Sequence, residues 1–133
     1  MFFRLPLPRL LFALLALAAV PSVGAECPMQ KTLVSGRVHS DNQPVAGALV
    51  KVIWDEQRIR NLSAETRSGA DGGFELTLSF SSFDGRTLLA KEKCGYQPKE
   101  FEVEVRHDNF RNFRKIYNLA KLEKPLSIKL RPR

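Results

Sequence analysis

A strict alternation of apolar and polar residues at 74–80 constrains the fold of this chain more than any other feature. The two sets do not mix: Phe74, Leu76, Leu78 and Phe80 alternate with Glu75, Thr77 and Ser79. Successive side chains of a β-strand point to opposite faces of a sheet. The pattern therefore predicts a strand that buries one face in a core.

Similar segments recur along the chain and predict an all-β domain. We expect six further strands, at residues 31–39, 48–54, 63–68, 87–90, 100–106 and 126–130. Turn-forming residues separate them, at 41–44, 69–73, 84–85 and 95–98. Short strands at this spacing indicate a single antiparallel β-sandwich of about seven strands, and a chain of 133 residues is too short for two domains. The residues expected to point inward include Val50, Val52, Phe74, Leu76, Leu78, Val103 and Ile128.

Residues 1–25 have the composition of an export signal. Two arginines precede an uninterrupted apolar run of 11 residues at 10–20. Small residues follow, with Val23 and Ala25 at the two positions that a signal peptidase recognises. The run is too short for a permanent membrane helix, which needs about 20 apolar residues. We therefore expect a removed signal peptide, a periplasmic or secreted domain at 26–133, and no stable membrane span after cleavage.

The chain has two cysteines, Cys27 and Cys94, and both follow the predicted signal. In an oxidising compartment an even cysteine count favours a disulfide. Closing the loop of 68 residues, counted from 27 to 94 inclusive, would stabilise the fold by about 4 kcal/mol in the chain-entropy model. A redox site usually has a Cys-x-x-Cys motif, and a zinc site needs more ligands. We expect a structural disulfide, and neither a metal nor a cofactor.

Positive charge is concentrated towards residue 133. Residues 26–98 carry nine basic and nine acidic side chains, whereas residues 99–133 carry ten basic and five acidic ones. A local basic zone favours an anionic partner, such as a membrane face, a polyanionic glycan or an acidic protein. The predicted compartment disfavours nucleic acid as a partner, and the sequence has no nucleic-acid recognition motif. The alternative is a solvated surface that happens to be basic.

Residues 108–122 combine these charges with aromatic residues. The apolar side chains at 110, 113, 116, 117 and 120 have helical spacing, so we expect a short amphipathic helix or a structured loop before the last strand. Its aromatic side chains either cover the core or meet a partner. The candidate partner-binding residues are Phe110, Arg111, Phe113, Arg114, Lys115, Tyr117 and Lys121.

Several short motifs occur in a characteristic order: Val34–Val38 (VSGRV), Pro44–Val52 (PVAGALVKV), Ala70–Leu76 (ADGGFEL), Gly95-Tyr96, and Leu126–Leu130 (LSIKL). With these motifs the chain resembles the carboxypeptidase regulatory-like domain, a member of the transthyretin-like (prealbumin-like) β-sandwich group. The resemblance spans about residues 31–130. It implies a non-catalytic module, because such domains are commonly appended to peptidases, outer-membrane receptors or surface proteins.

One enzyme uses a related scaffold, the hydroxyisourate hydrolase, and this chain departs from its pattern. Arg37 stands about where the first catalytic histidine would fall, and Gly73 follows Asp71-Gly72 where an arginine is expected. Residues 130–133 read Leu-Arg-Pro-Arg instead of Tyr-Arg-Gly-Ser. The serines lack a nucleophile-elbow context, and no loop has the alternating acids of a calcium site.

The sequence therefore predicts a non-enzymatic, exported binding or adaptor module of the cell envelope. Its expected partner is another envelope protein or an anionic surface, and the oligomeric state is left open. Two alternatives remain. One is a hydrolase on a transthyretin-like scaffold; the other is a carbohydrate-binding module, for which Trp54 at the end of an apolar strand could supply a stacking surface.

Overall fold

The computed structural model describes residues 27–56, 59–86, 88–89, 91–122 and 125–133. The predicted signal at 1–25 lies outside the described residues. Ten strands and one short 3-10 helix, Leu119–Lys121, form within them. The strands are β1 (Met29–Ser40), β2 (Gln43–Pro44), β3 (Leu49–Trp54), β4 (Leu62–Arg67), β5 (Gly73–Ser81), β6 (Phe83–Arg86), β7 (Glu92–Cys94), β8 (Glu100–Arg106), β9 (Phe113–Asn118) and β10 (Leu126–Lys129).

Two four-stranded sheets pack face to face as a β-sandwich. In sheet A, β1 pairs with β5, β2 and β10. In sheet B the strand order is β4-β3-β8-β9. A separate hairpin joins β6 to β7. The all-β sandwich predicted from the sequence is confirmed, with ten strands where about seven were expected.

The core lies between the two sheets and follows the alternation in the sequence. Side chains on the inner faces of β1, β3, β5, β8 and β10 form one continuous apolar cluster. The seven residues predicted to point inward are all buried: Val50, Val52, Phe74, Leu76, Leu78, Val103 and Ile128. The polar residues between them on β5 and β10 lie on the outer faces, as period-2 geometry requires.

The pairing of β1 with β10 is parallel, so the sheets are not antiparallel throughout. Gly36 lies opposite Leu126, and the register continues to His39 opposite Lys129. A Cβ atom on Gly36 would stand 2.6 Å from the backbone oxygen of Leu126 and 2.8 Å from the Phe74 ring. Glycine is therefore required at this position by the close approach of the neighbouring backbone.

Two details of the β6–β7 region differ from the sequence prediction. The strand expected at 87–90 is not formed, because Leu88 and Leu89 lie in a turn and are exposed to solvent. Residues 87 and 90 themselves lie outside the described part. The turn expected at 84–85 is instead a bulge within β6, where Gly85 has a φ of 119°. A bulge uses the positive φ of glycine as readily as a turn does.

The segment 108–122 is mostly extended rather than helical. Its residues 113–118 form β9, which pairs antiparallel with β8 from Val105 opposite Phe113 to Glu100 opposite Asn118. Helical structure is limited to the single 3-10 turn at Leu119–Lys121. Of the two expected forms, a helix or a structured loop, an amphipathic helix over the whole segment is not formed, and the short helix before the last strand consists of that turn alone.

Cys27 and Cys94 form the predicted disulfide, with Cα atoms 5.4 Å apart. The bond joins the residues before β1 to the end of β7. Ser82 reinforces the junction, because its hydroxyl donates to the Pro28 carbonyl over 2.8 Å. Within the described part of the chain, none of the helical structure has the length and apolar character needed to cross a membrane.

Candidate functional site

The aromatic residues of β9 face the core. β9 is the last strand of sheet B, and in the described part of the chain its outer edge has no partner strand. Phe113 and Tyr117 are half-buried and pack against the core cluster. Tyr117 stacks on Phe101 with 5.7 Å between ring centroids, and burial raises the pKa of the Tyr117 hydroxyl. These two aromatic residues cover the core, which was one of the two alternatives.

Phe110 anchors the loop between β8 and β9 to the residues that follow β10. It forms an isolated antiparallel bridge with Pro132, and its ring meets His107 edge to face at 5.2 Å. The Arg111 amide donates to the carbonyl of Arg131 over 2.8 Å. This contact holds Arg111, which precedes β9 of sheet B, against Arg131, which follows β10 of sheet A.

A groove of about 490 Å³ forms where the two sheets meet. Four of its lining residues are cationic, and we call it the cationic groove: Arg111, Arg114, Lys129 and Arg131, together with Asn112, Phe113 and Leu130. Among the residues that the structure describes, none of those that line it is acidic. Its cations come from both sheets, since Lys129 belongs to β10 and Arg114 to β9.

The charges of the cationic groove are largely uncompensated. Arg114 is paired with Glu102 on β8 through its Nε. Arg111, Lys129 and Arg131 are exposed, and none of the carboxylates in the described residues forms an ion pair with them. Cations that converge on a concave surface without carboxylates create a local positive potential, which favours an anionic ligand.

The groove contains only part of the predicted site. Arg111, Phe113 and Arg114 line it, whereas Lys115 lies 5.0 Å above the Tyr117 ring and Lys121 lies in the 3-10 turn. Lys129 and Arg131 were not among the predicted residues. The charge excess over 99–133 was the available signal, but a spacing argument confined to one segment could not include a strand from the other sheet.

A second pocket of about 370 Å³ adjoins the groove, and Asn112 lines both. We call it the arginine pocket, after its residues Arg67, Arg106 and Arg133, which it shares with Gly47, Leu49, His107, Asp108 and Asn112. Arg106 is paired with Glu104. The backbone amide of Asn109 donates to Nδ1 of His107 over 3.2 Å, which leaves Nε2 of the neutral imidazole as a donor.

Trp54 does not form the exposed platform that stacking on a sugar would require, because only 6% of its surface is accessible. It lines a groove of about 420 Å³ with Tyr96, whose hydroxyl donates to the Asp55 carbonyl over 3.1 Å. Burial raises the pKa of the Tyr96 hydroxyl, and the nearby carboxylates of Asp55, Glu56 and Asp84 raise it further. The Trp54 indole N–H has no hydrogen-bond partner among the described residues.

The structure brings one serine and one histidine together, Ser127 and His39, with 2.8 Å between Oγ and Nε2. They lie on neighbouring strands on the outer face of sheet A. A hydrolytic triad also needs a group that orients the histidine, and neither residue lines the grooves described above. The described residues contain no cluster of three or more His, Cys, Asp or Glu side chains that could hold a metal ion.

Comparison with protein-family models finds no family that matches this chain, and comparison with curated proteins finds no relative.

Proposed function

We propose that this chain is a non-enzymatic, exported binding module of the cell envelope that holds an anionic partner in the cationic groove. The observation that carries the proposal is the convergence of Arg111, Arg114, Lys129 and Arg131 on one concave surface, which no acidic residue lines in the described part of the chain. Insertions and loops between strands are where rigid sandwiches usually carry their binding residues. The partner is an envelope protein with an acidic face, or another anionic surface.

Two features support export. The composition of residues 1–25 is that of a signal peptide. The disulfide between Cys27 and Cys94 is a bond that persists in oxidising compartments and is rare in the cytosol. Together they favour a periplasmic or secreted protein.

The environment of the motif glycines supports assignment to the carboxypeptidase regulatory-like group. Gly36 lies in close contact with the neighbouring strand, as described above. Gly72 has a φ of 77°, and a Cβ atom there would stand 2.3 Å from the carbonyl oxygen of Val38. Gly47 also has a positive φ, of 71°, but faces open space. These positions serve the scaffold, which agrees with a family whose shared residues are structural.

The test removes charge from the groove without removing packing. In the variant Arg111→Gln, Lys129→Gln, Arg131→Gln, we expect the partner captured from the envelope fraction by the exported domain to be lost. The melting temperature should change little, because all three side chains are exposed. Capture by the unaltered protein should also fall steeply between about 0.05 and 0.3 M salt, since exposed charges are screened beyond the Debye length.

A matched control carries the same loss of three charges elsewhere on the surface. Lys31→Gln, Arg60→Gln, Lys91→Gln changes three exposed residues that do not line the groove and should capture the partner as the unaltered protein does. Equal capture by all three proteins, with no effect of salt, would reject the groove as the binding surface.

A further inference from the structure

We propose that the ligand is a linear acidic polysaccharide that spans the cationic groove and the arginine pocket. This inference rests on the proposed function and specifies the chemistry of the partner. It starts from the adjacency of the two depressions, which share Asn112 as a lining residue. A single small anion would need one of them, whereas an extended chain can occupy both.

One short segment supplies cations to both depressions. Arg131 lines the cationic groove and Arg133 lines the arginine pocket, on either side of the bridge between Pro132 and Phe110. The Arg133 Nε donates to the Phe110 carbonyl over 3.0 Å, which holds this side chain against the loop between β8 and β9. The cations thus form a continuous band along one end of the sandwich.

The kind of cation favours discrete anionic groups over a diffuse charged surface. Arginine predominates in the band, with Lys129 as the exception. A guanidinium presents five donors in a planar arrangement that suits bidentate contact with sulfate or carboxylate groups. Arg67 donates through Nη1 to the Gly47 carbonyl over 3.1 Å, and within the described residues its other donors are left for a ligand.

Asp108 distinguishes a polysaccharide from a simple polyanion. Asp108 lines the arginine pocket together with His107 and Asn112. A carboxylate repels a ligand that carries only negative charge, but it accepts hydrogen bonds from hydroxyl groups. A sugar chain alternates anionic groups with hydroxyls, which matches a pocket that combines three arginines with one acid and an amide.

The first experiment is a length series, measured by titration calorimetry with heparin-derived oligosaccharides from a disaccharide to a decasaccharide. We expect affinity to rise with length and then level off once both depressions are filled. The variant Arg67→Gln, Arg133→Gln should weaken the longest oligosaccharide at least about tenfold, since hydrogen bonds to charged groups are strong. The same variant should weaken the disaccharide less than the longest oligosaccharide, because a disaccharide can occupy the cationic groove alone, and Lys31→Gln, Arg60→Gln provides the control.

The outcomes separate this inference from the proposed function. If the groove variant Arg111→Gln, Lys129→Gln, Arg131→Gln abolishes all binding but the pocket variant changes none, the groove alone binds and the spanning ligand is rejected. If neither variant changes binding, both proposals fail. Affinity that does not depend on oligosaccharide length would also overturn the inference.

Asp108→Asn tests the sugar chemistry. Under the proposal, this change weakens the longer oligosaccharides, because one of the two carboxylate oxygens that accept from hydroxyls is replaced by an amide N–H donor group, and strengthens linear polyphosphate, because a repulsive charge is removed. An equal gain for both ligands would show that the band responds to charge alone. Vesicles of anionic lipid that bind as tightly as the decasaccharide would point to a membrane face and overturn the assignment.

Discussion

Adjacent residues of β5 have opposite surroundings. Leu76 is buried in the apolar cluster opposite Val34 of β1, and Thr77 is exposed on the outer face opposite Leu33. The two positions share a backbone environment and pair with the same neighbouring strand. Substitutions at these two positions therefore separate the contribution of burial to stability from the contribution of strand formation.

Leu76→Ala should lower the free energy of unfolding by about 2–5 kcal/mol, because the lost contacts leave a cavity in the core. Thr77→Ala should lower it much less. Denaturant unfolding of the two variants measures both values. Equal losses would contradict a strand with a single buried face.

The alternation in the sequence correctly predicted which side chains are buried in the core between the sheets. It failed for a side chain on an outer face that neighbouring charged side chains cover. Glu104 lies on the outer face of β8, where period 2 predicts exposure, yet only 8% of its surface is accessible. Lys51 and Arg114 lie opposite it on the two flanking strands, and Arg106 is paired with it. Long cationic side chains cover apolar and polar neighbours alike, and a pattern of hydropathy along one segment does not contain that information.

At the scale of elements, β9 shows why the sequence predicted a short helix or a structured loop where a strand forms. Phe113 and Tyr117 are four residues apart, a spacing that places two side chains on one face of either a helix or a strand. Lys115, midway between them, would be apolar in a fully buried strand. β9 is an edge strand, so its inner face is only partly covered and tolerates a lysine above the Tyr117 ring. Arg111 and Arg114 lie within the segment 108–122, whereas Lys129 lies in β10 and Arg131 follows it. A spacing argument within that segment therefore grouped the first two residues but could not include the other two.

Lys115 also protects the open edge of sheet B. Charged residues on an edge strand, inward-pointing ones above all, oppose the addition of a further strand from another molecule. Lys115→Val should therefore promote self-association, measured as an earlier elution volume at high protein concentration. Lys121→Val makes the same chemical change outside any strand and should elute as the unaltered protein does. Identical elution of both variants would show that other features block the edge.

At the scale of the whole molecule, one covalent bond ties the β6–β7 hairpin to the beginning of sheet A. In the described residues, that hairpin pairs with neither sheet. The disulfide and the hydrogen bonds between Ser82 and Pro28 attach it to the residues before β1. The cysteine pairing could be predicted from the cysteine count and the predicted compartment alone. The position of the hairpin could be found only from the structure.

Cys27→Ser and Cys94→Ser should lower the melting temperature equally, because each breaks the same bond, with a loss of about 4 kcal/mol in the chain-entropy model. The double variant should be no less stable than either single variant. Thermal unfolding under non-reducing conditions measures all three. Unequal losses, or free thiols in the native protein, would contradict the shared role.

The parallel pairing of β1 with β10 has a consequence for the order of events in time. Gly36 and Leu126 are separated by roughly 90 residues, and pairings of such separation form late and slowly, because loop closure costs entropy before any contact is made. Sheet A cannot be completed until β10 has been synthesised and is free to pair. A chain with this topology therefore stays incompletely folded while it is being made, which is compatible with the export proposed above.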